Sequence, residues 1–197
     1  MSTWPNDITL SGSYATLEPL DHAHGSDLAQ ASAEGELYSL WVTTIPAPEE
    51  VPNEIARRLT LRQAGSMLPF AVLNSKGRAI GMTTYMNIDA ANKRVEIGST
   101  WYAKSAQRTG INTECKFMLL RHAFEDLGCI AVEFRTHRLN TASRRAIERL
   151  GAQLDGILRA HMVLPNGTIR DTACYSITAQ EWPTIRANLG HKLSSYT

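Results

Sequence analysis

Residues 101–116 read WYAKSAQRTGINTECK. Trp101 and Tyr102 end a run from Arg94 in which side chains alternate with the period of a β-strand. A loop follows, Gln107-Arg108-Thr109-Gly110-Ile111-Asn112, and directly after it Phe117, Leu120, Phe124 and Leu127 recur at helical spacing. The first backbone N–H groups of a helix have no intrahelical acceptor, and with the helix dipole they attract anions. A glycine in the loop, Gly110, lets a phosphate approach the backbone, and Lys104 and Arg108 add positive charge. Strand, glycine-bearing loop and helix in succession predict an anion site, although the pattern alone is common to many folds.

Upstream, strand alternation over 94–102 predicts Val95, Ile97, Ser99 and Trp101 on one face and Glu96, Gly98, Thr100 and Tyr102 on the other. Residues 69–74 and 79–85 flank Ser75-Lys76-Gly77 as a hairpin, which makes a three-strand antiparallel meander with 94–102. Residues 14–19 read as a first strand, Asp21 as the N-cap of a helix running to Ala33, and Pro52 as the first turn of a second helix that buries Ile55 and Leu59. Between these helices lies an aromatic patch, 37–45, with Tyr38 and Trp41, closed by Pro46 and Pro48. Downstream, a long helix over 113–127 stops at Gly128, and a strand follows over 131–136. A helix over 140–150 stops at Gly151. Two strands, 153–164 and 168–178, turn at Pro165-Asn166-Gly167, and 180–189 forms a terminal helix or an ordered extension. The order predicts one α+β domain over residues 1–197, with its core at about 14–178 and an extension over 179–197.

Composition narrows the function classes. The chain has 197 residues, 43% of them hydrophobic, enough for a core without disulfide staples. Lys and Arg total 20 against 19 Asp and Glu, so the chain lacks the basic excess of a dedicated nucleic-acid binder. Three cysteines, Cys115, Cys129 and Cys174, are widely spaced and form no Cys/His cluster, so no metal is expected and reduced buried thiols are. No signal-peptide pattern opens the chain and no apolar run is long enough for a membrane helix, which together predict a cytoplasmic protein without a membrane partner. A homodimer is compatible with these features.

The loop Gln107-Arg108-Thr109-Gly110-Ile111-Asn112 resembles the pyrophosphate loop of the GNAT acetyltransferases, Gln/Arg-x-x-Gly-x-Gly/Ala, with Asn112 in place of the last small residue. Asn140-Thr141-Ala142-Ser143, then Ala146-Ile147 and Leu150-Gly151-Ala152, resembles that family's Asn-x-x-Ser helix leading to Leu-Gly-Ala/Phe. Glu96-Ile97-Gly98, Asn112-Thr113-Glu114 and Gly167-x-x-Arg170-Asp171 are similar to the branch that contains the ribosomal-protein N-terminal acetyltransferases. The resemblance covers about 14–178. It implies a GNAT fold: a mixed, mostly antiparallel sheet flanked by helices, whose central strand splays from the strand at Ala131 to leave a slot for acetyl-CoA. It also implies acetyl transfer to a primary amine, a small molecule or a protein N-terminus, by direct attack in a ternary complex.

An amine must be neutral to attack a thioester, so the reaction needs a proton acceptor, direct or through water. Glu96, mid-strand, is the leading base, with an ordered water as the alternative. Ser143 is the candidate donor to the leaving thiolate. Many members of the superfamily carry a tyrosine four residues after this serine; Ile147 stands there. The resemblance implies that Trp101 and Tyr102, through backbone N–H groups, and Gln107, Arg108, Thr109, Gly110, Ile111, Asn112, Thr113, Asn140 and Ser143 hold the cofactor. Tyr38, Trp41 and Tyr85 are candidates for the acceptor pocket. Arg144, Arg145 and Arg149 read as a solvated helix face, with Arg144 or Arg145 as an alternative contact for the 3′-phosphate of CoA, and His122 as a solvent-facing residue of the long helix. Two rivals remain open: an acyl-CoA sensor without turnover on the same fold, and a nucleotide enzyme, against which the lack of GxxxxGK[ST] speaks.

Overall fold

The computed structural model describes residues 4–196. Its strands are β1 (Leu10–Ser11), β2 (Thr16–Pro19), β3 (Met67–Leu73), β4 (Ala79–Asp89), β5 (Arg94–Tyr102), β6 (Ala131–His137), β7 (Gln153–Val163) and β8 (Ile169–Thr178). The α-helices are α1 (Gly25–Ala33), α2 (Val51–Gln63), α3 (Gly110–Arg121), α4 (Thr141–Leu150) and α5 (Trp182–Ser194). The eight strands form one sheet in the order β1-β2-β3-β4-β5-β6-β8-β7. Every neighbouring pair is antiparallel except β5 and β6. A parallel pair needs a crossover, and α3 supplies it.

Apolar layers cover one face of the sheet and part of the other. Val95, Ile97 and Tyr102 join Phe70, Tyr85, Leu119, Phe134, Ile147 and Tyr175 on the face under α3 and α4. Trp101 joins Ala71, Leu73 and Met82 with Leu28 of α1 and Ile55 of α2 on the other. This corrects the alternation expected for β5. Tyr102 shares its face with Val95 and Ile97, and Trp101 does not. The cause is a β-bulge: the register against β4 shifts between Met82↔Trp101 and Thr84↔Gly98, and Ser99 takes a left-handed φ of 47°. An extra residue in one strand reverses the facing of everything beyond it.

The long helix is shorter than its periodicity predicts. After Arg121 it continues as a π-helical turn, His122–Asp126, which rotates His122 inward. His122 is buried, not solvent-facing, with Nδ1 2.8 Å from Asp126 Oδ2. The terminal segment is a helix of the core: Trp182 packs on Phe117 and stacks on Phe124. Among the described residues, no helix is long and apolar enough to cross a membrane.

Glu114 fastens the start of the sheet to α3. Its carboxylate accepts the backbone amides of Ser13, Tyr14 and Ala15 at 2.7, 2.7 and 2.9 Å. Hydrogen bonds to a charged acceptor are stronger than neutral ones, and removing the acceptor strands three donors. Glu114→Ala is therefore expected to cost about 2–4 kcal/mol. Guanidinium unfolding of both proteins measures it; an unchanged midpoint would show that the carboxylate does not hold the turn.

Candidate active site

The β5–β6 ladder joins only Arg94–Glu96 to Ala131–Glu133. Beyond it, β5 from Ile97 to Tyr102 is paired on its β4 side alone and β6 from Phe134 to His137 on its β8 side alone. The facing strand edges so lack a partner strand and bound a wedge-shaped slot. At the mouth of the slot, the end of β5 runs into the Gln107–Asn112 loop and the end of β6 into the Asn140 cap of α4.

At the mouth, Gln107 Nε2 donates to Tyr102 O at 3.2 Å. Thr109 is the N-cap of α3; its Oγ1 accepts from Ile111 N at 3.3 Å and donates to Ala106 O at 2.7 Å. Arg108 is exposed, with φ of 61°. A Cβ on Gly110 would meet the rings of Tyr14 and Tyr196 at 3.3 and 3.4 Å, so the glycine also lets α3 pack against both tyrosines. Ile111 and Asn112 are half-buried at the start of the helix. Thr113 is fully buried, and its Oγ1 accepts from Arg149 Nη2 at 3.1 Å, so that side chain ties α3 to α4. Opposite, Asn140 Oδ1 accepts from Ser143 N at 3.0 Å, which leaves the half-buried Ser143 hydroxyl at the first turn of α4. Ile147 packs into the core. Arg144 and Arg149 are held rather than freely solvated: Arg144 Nε donates to Tyr175 Oη at 2.7 Å, and Arg149 spans Thr113 and Tyr196.

Glu96 stands on the last rung of the ladder, where the slot closes, and is 4% exposed. Asn87 Nδ2 donates to its Oε2 at 2.6 Å, and Arg135 Nε lies 3.5 Å from the same oxygen. Its Oε1 lies against Gly98, where a Cβ would stand 2.9 Å from it, so the glycine leaves room for the carboxylate. Burial pushes the Glu96 carboxyl above the usual carboxylate range; Asn87 and Arg135 pull it back, and Glu133 adds to the rise. On the same sheet face Glu133 pairs with Arg94 and with Arg135, the latter at 2.9 Å. Arg170 donates to Thr172 Oγ1 at 2.9 Å.

The acceptor candidates separate. Trp41 is 53% exposed and sets its ring edge-on to His137 at the end of β6, centroids 5.2 Å apart. Tyr38 and Trp41 line a cavity of about 210 Å³ with Ile45, Leu164 and Pro165. Tyr85 is fully buried on the α3 face, and its hydroxyl donates to Leu119 O at 2.5 Å. A larger cavity, about 350 Å³, lies between the N-terminal segment and the end of α2. Cys115 is fully buried, and burial pushes its thiol up to about 12, which disfavours the thiolate a nucleophile needs. Among the described residues, no group of three His, Cys, Asp or Glu is placed to hold a metal ion.

Three residues escaped the sequence reading. Arg58 and Lys116 are buried against opposite faces of the β5 bulge, and Arg135 reaches Glu96. The first two carried a signal. Arg58 continues the buried stripe Val51–Ile55 by three positions, and Lys116 precedes Leu119 and Leu120 by three and four, so each places a charge in an apolar stripe.

A protein-family profile described as Acetyltransferase (GNAT) domain matches residues 15–153. A curated relative from Bacillus subtilis (strain 168), YdaF, provisionally named a ribosomal N-acetyltransferase, is 34% identical over 106 residues. That match takes in 54% of this chain and 57% of the relative, so the chain spans little more than half of the relative's length. A crystal structure of a GCN5-related N-acetyltransferase from Brucella melitensis superposes with a TM-score of 0.87 at 32% identity, covering 96% of this chain and 86% of that one. Mycobacterium smegmatis RimJ in complex with CoA-disulfide shares the fold, with a TM-score of 0.79 at 23% identity over 98% and 97% of the two chains.

Because burial raises the folded pKa of Glu96, the protonated form favours the fold. Its contribution is greatest at low pH and is lost as pH rises from the unfolded value through the folded one. Glu96→Gln removes that loss. Relative to the parent, the variant should gain stability as pH rises above the ordinary carboxylate range, read as urea midpoints. A pH-independent difference would place the carboxylate in water.

Proposed function

The chain belongs to the GNAT acetyltransferase family, and from that premise we propose that it is an N-acetyltransferase moving an acetyl group from acetyl-CoA to a primary amine, the α-amine of a protein N-terminus. The observation that carries the reading is the slot between β5 and β6, open at the first turn of α3 and closed at Glu96. Its chemical fit to the cofactor supports it. Backbone donors at the start of α3, with Gln107, Arg108, Thr109, Gly110, Ile111 and Asn112, suit a pyrophosphate. The unpaired edge of β5 near Trp101 and Tyr102 suits an amide-bearing arm, and Asn140 and Ser143 face it across the mouth. The protein-terminus acceptor draws on the name of the Bacillus relative and on the open, charged sheet face beyond Glu96. Tyr38 and Trp41 flank that side.

Within this site the neutral amine attacks the thioester carbonyl carbon. The carbonyl oxygen takes negative charge, the C–S bond breaks, and the CoA thiolate leaves. The amine's surplus proton passes to Glu96, directly or through one water, and the leaving thiolate accepts a hydrogen bond from Ser143 and takes its proton from water. A carboxyl raised by burial is the better base near neutral pH, since a proton acceptor works best with its pKa close to the operating pH. Direct attack needs no acyl-enzyme, in keeping with the buried, protonated Cys115.

The test uses Glu96→Gln with one good acceptor peptide. Acetyl-CoA should raise the melting temperature of both proteins alike. Thiol release should fall by a factor on the order of 10²–10⁴ in the variant, and the loss should shrink at high pH, where more amine is already neutral. A variant with the parent's rate and pH profile would remove Glu96 from the mechanism. A parent that binds acetyl-CoA but releases no thiol with any amine would make the protein an acyl-CoA sensor.

A further inference from the structure

The β5 bulge is held by a buried basic side chain on each face of the sheet. From α2, Arg58, 2% exposed, donates to Thr84 Oγ1 at 2.7 Å and to Ser99 O at 3.3 Å. Its charge is met by Glu54, 2.7 Å from its Nε. From α3, Lys116, 6% exposed, donates to Thr100 Oγ1 at 2.6 Å and to Thr83 Oγ1 at 3.1 Å. The two threonine hydroxyls lie 2.8 Å apart across β4 and β5. Unlike Arg58, Lys116 forms no ion pair among the described residues. Burial alone pulls its ammonium down to about 7, with only Cys115 opposing. A buried lysine without a carboxylate is expensive, and a purely structural contact between two threonines is made more cheaply by an apolar residue of the same shape.

We propose that Lys116 is a positioning residue for acetyl transfer, which through Thr100 and Thr83 fixes the bulge of β5 beside the slot. The inference rests on the transfer reaction proposed above. Past the bulge, the free edge of β5 borders the place where the carbonyl oxygen gains charge in that reaction. A donor edge fixed in advance stabilises developing charge without reorganising, and a displacement of about 1 Å costs as much as 10²-fold in rate. Thr100 is the link, since it is a member of β5 one residue after Ser99.

The experiment compares Lys116→Met, Lys116→Gln and Thr100→Val with the parent in steady-state kinetics. Lys116→Met should lower kcat by a factor on the order of 10–100 while KM for acetyl-CoA stays within about twofold, because the phosphate-binding end lies elsewhere. Lys116→Gln, which keeps a donor without the charge, should recover part of the loss. A folded Lys116→Met with the parent's kcat overturns the proposal, as does a loss confined to melting temperature. If Lys116→Met does not fold, Thr100→Val carries the same reading: reduced kcat supports the link and unchanged kcat removes it. Should the parent release no thiol with any amine, the transfer reading fails separately. Hydrogen exchange at Ser99, Thr100 and Trp101 then decides the placement: faster exchange in the variants supports it, and unchanged exchange overturns it.

Discussion

Two parallel strands that pair for three residues and then part create the constraint on which the rest of this structure depends. Once β5 and β6 separate after Glu96 and Glu133, the backbone N–H and C=O groups along both inner edges lose their ladder partners. Unpaired backbone groups away from water are costly, so such an edge persists only where something else holds the strands apart and something polar can enter. The strands are held apart by what each is attached to. β5 is fixed to β4 and braced at its bulge by Arg58 and Lys116. β6 is fixed to β8 along its whole length. At the mouth, Arg149 of α4 reaches Thr113 of α3, so the helices that follow the two strands are tied to each other across the gap.

The two faces of the sheet meet the slot with different chemistry. Under α3 and α4 the floor is apolar, with Tyr102, Phe134 and Tyr175 in one cluster. On the opposite face α1 and α2 pack against β3 and β4, and the half over β6 and β8 presents Glu133, Arg135, Thr172, Cys174 and Arg170. Glu96 lies between these regimes. It is buried enough for its carboxyl to rise, yet joined through Arg135 and Glu133 to a charged surface that an amine can approach. A base in the apolar layer would stay protonated, and one in open water would be as weak as any exposed carboxylate. The rung at which the ladder ends is a place where a group has access to both conditions.

Much of this was legible in the sequence, and the failures have physical causes. Strands, helices and the loop at Gly110 were readable because periodicity and turn chemistry are local: Pro165-Asn166-Gly167 turns, Asp21 caps, and Gly151 ends α4 in the left-handed region. The bulge at Ser99 was not readable, because serine carries no mark of a positive φ and the alternation through it looks unbroken. That one residue exchanged the faces of Trp101 and Tyr102. Tyr85 looked available because an aromatic hydroxyl on a central strand suits a pocket as well as a core, and only the carbonyl of Leu119 decides between them. Thr113 sits where cofactor contacts are expected, but its partner Arg149 is 36 residues away.

The buried charges show how a local reading misses a global requirement. Arg58 and Lys116 occupy positions that helical spacing assigns to the interior, and a sequence argument that sorts residues by hydrophobicity discounts them as solvated. In the fold, each reaches from its helix to the polar atoms of a distorted strand. A regular strand would present no spare acceptors there, since its hydroxyls and carbonyls would be paired or turned to solvent. The bulge breaks the ladder and frees Ser99 O and the hydroxyls of Thr83 and Thr100 inside the protein, where only a donor makes them tolerable. The distortion and the two cations therefore require each other.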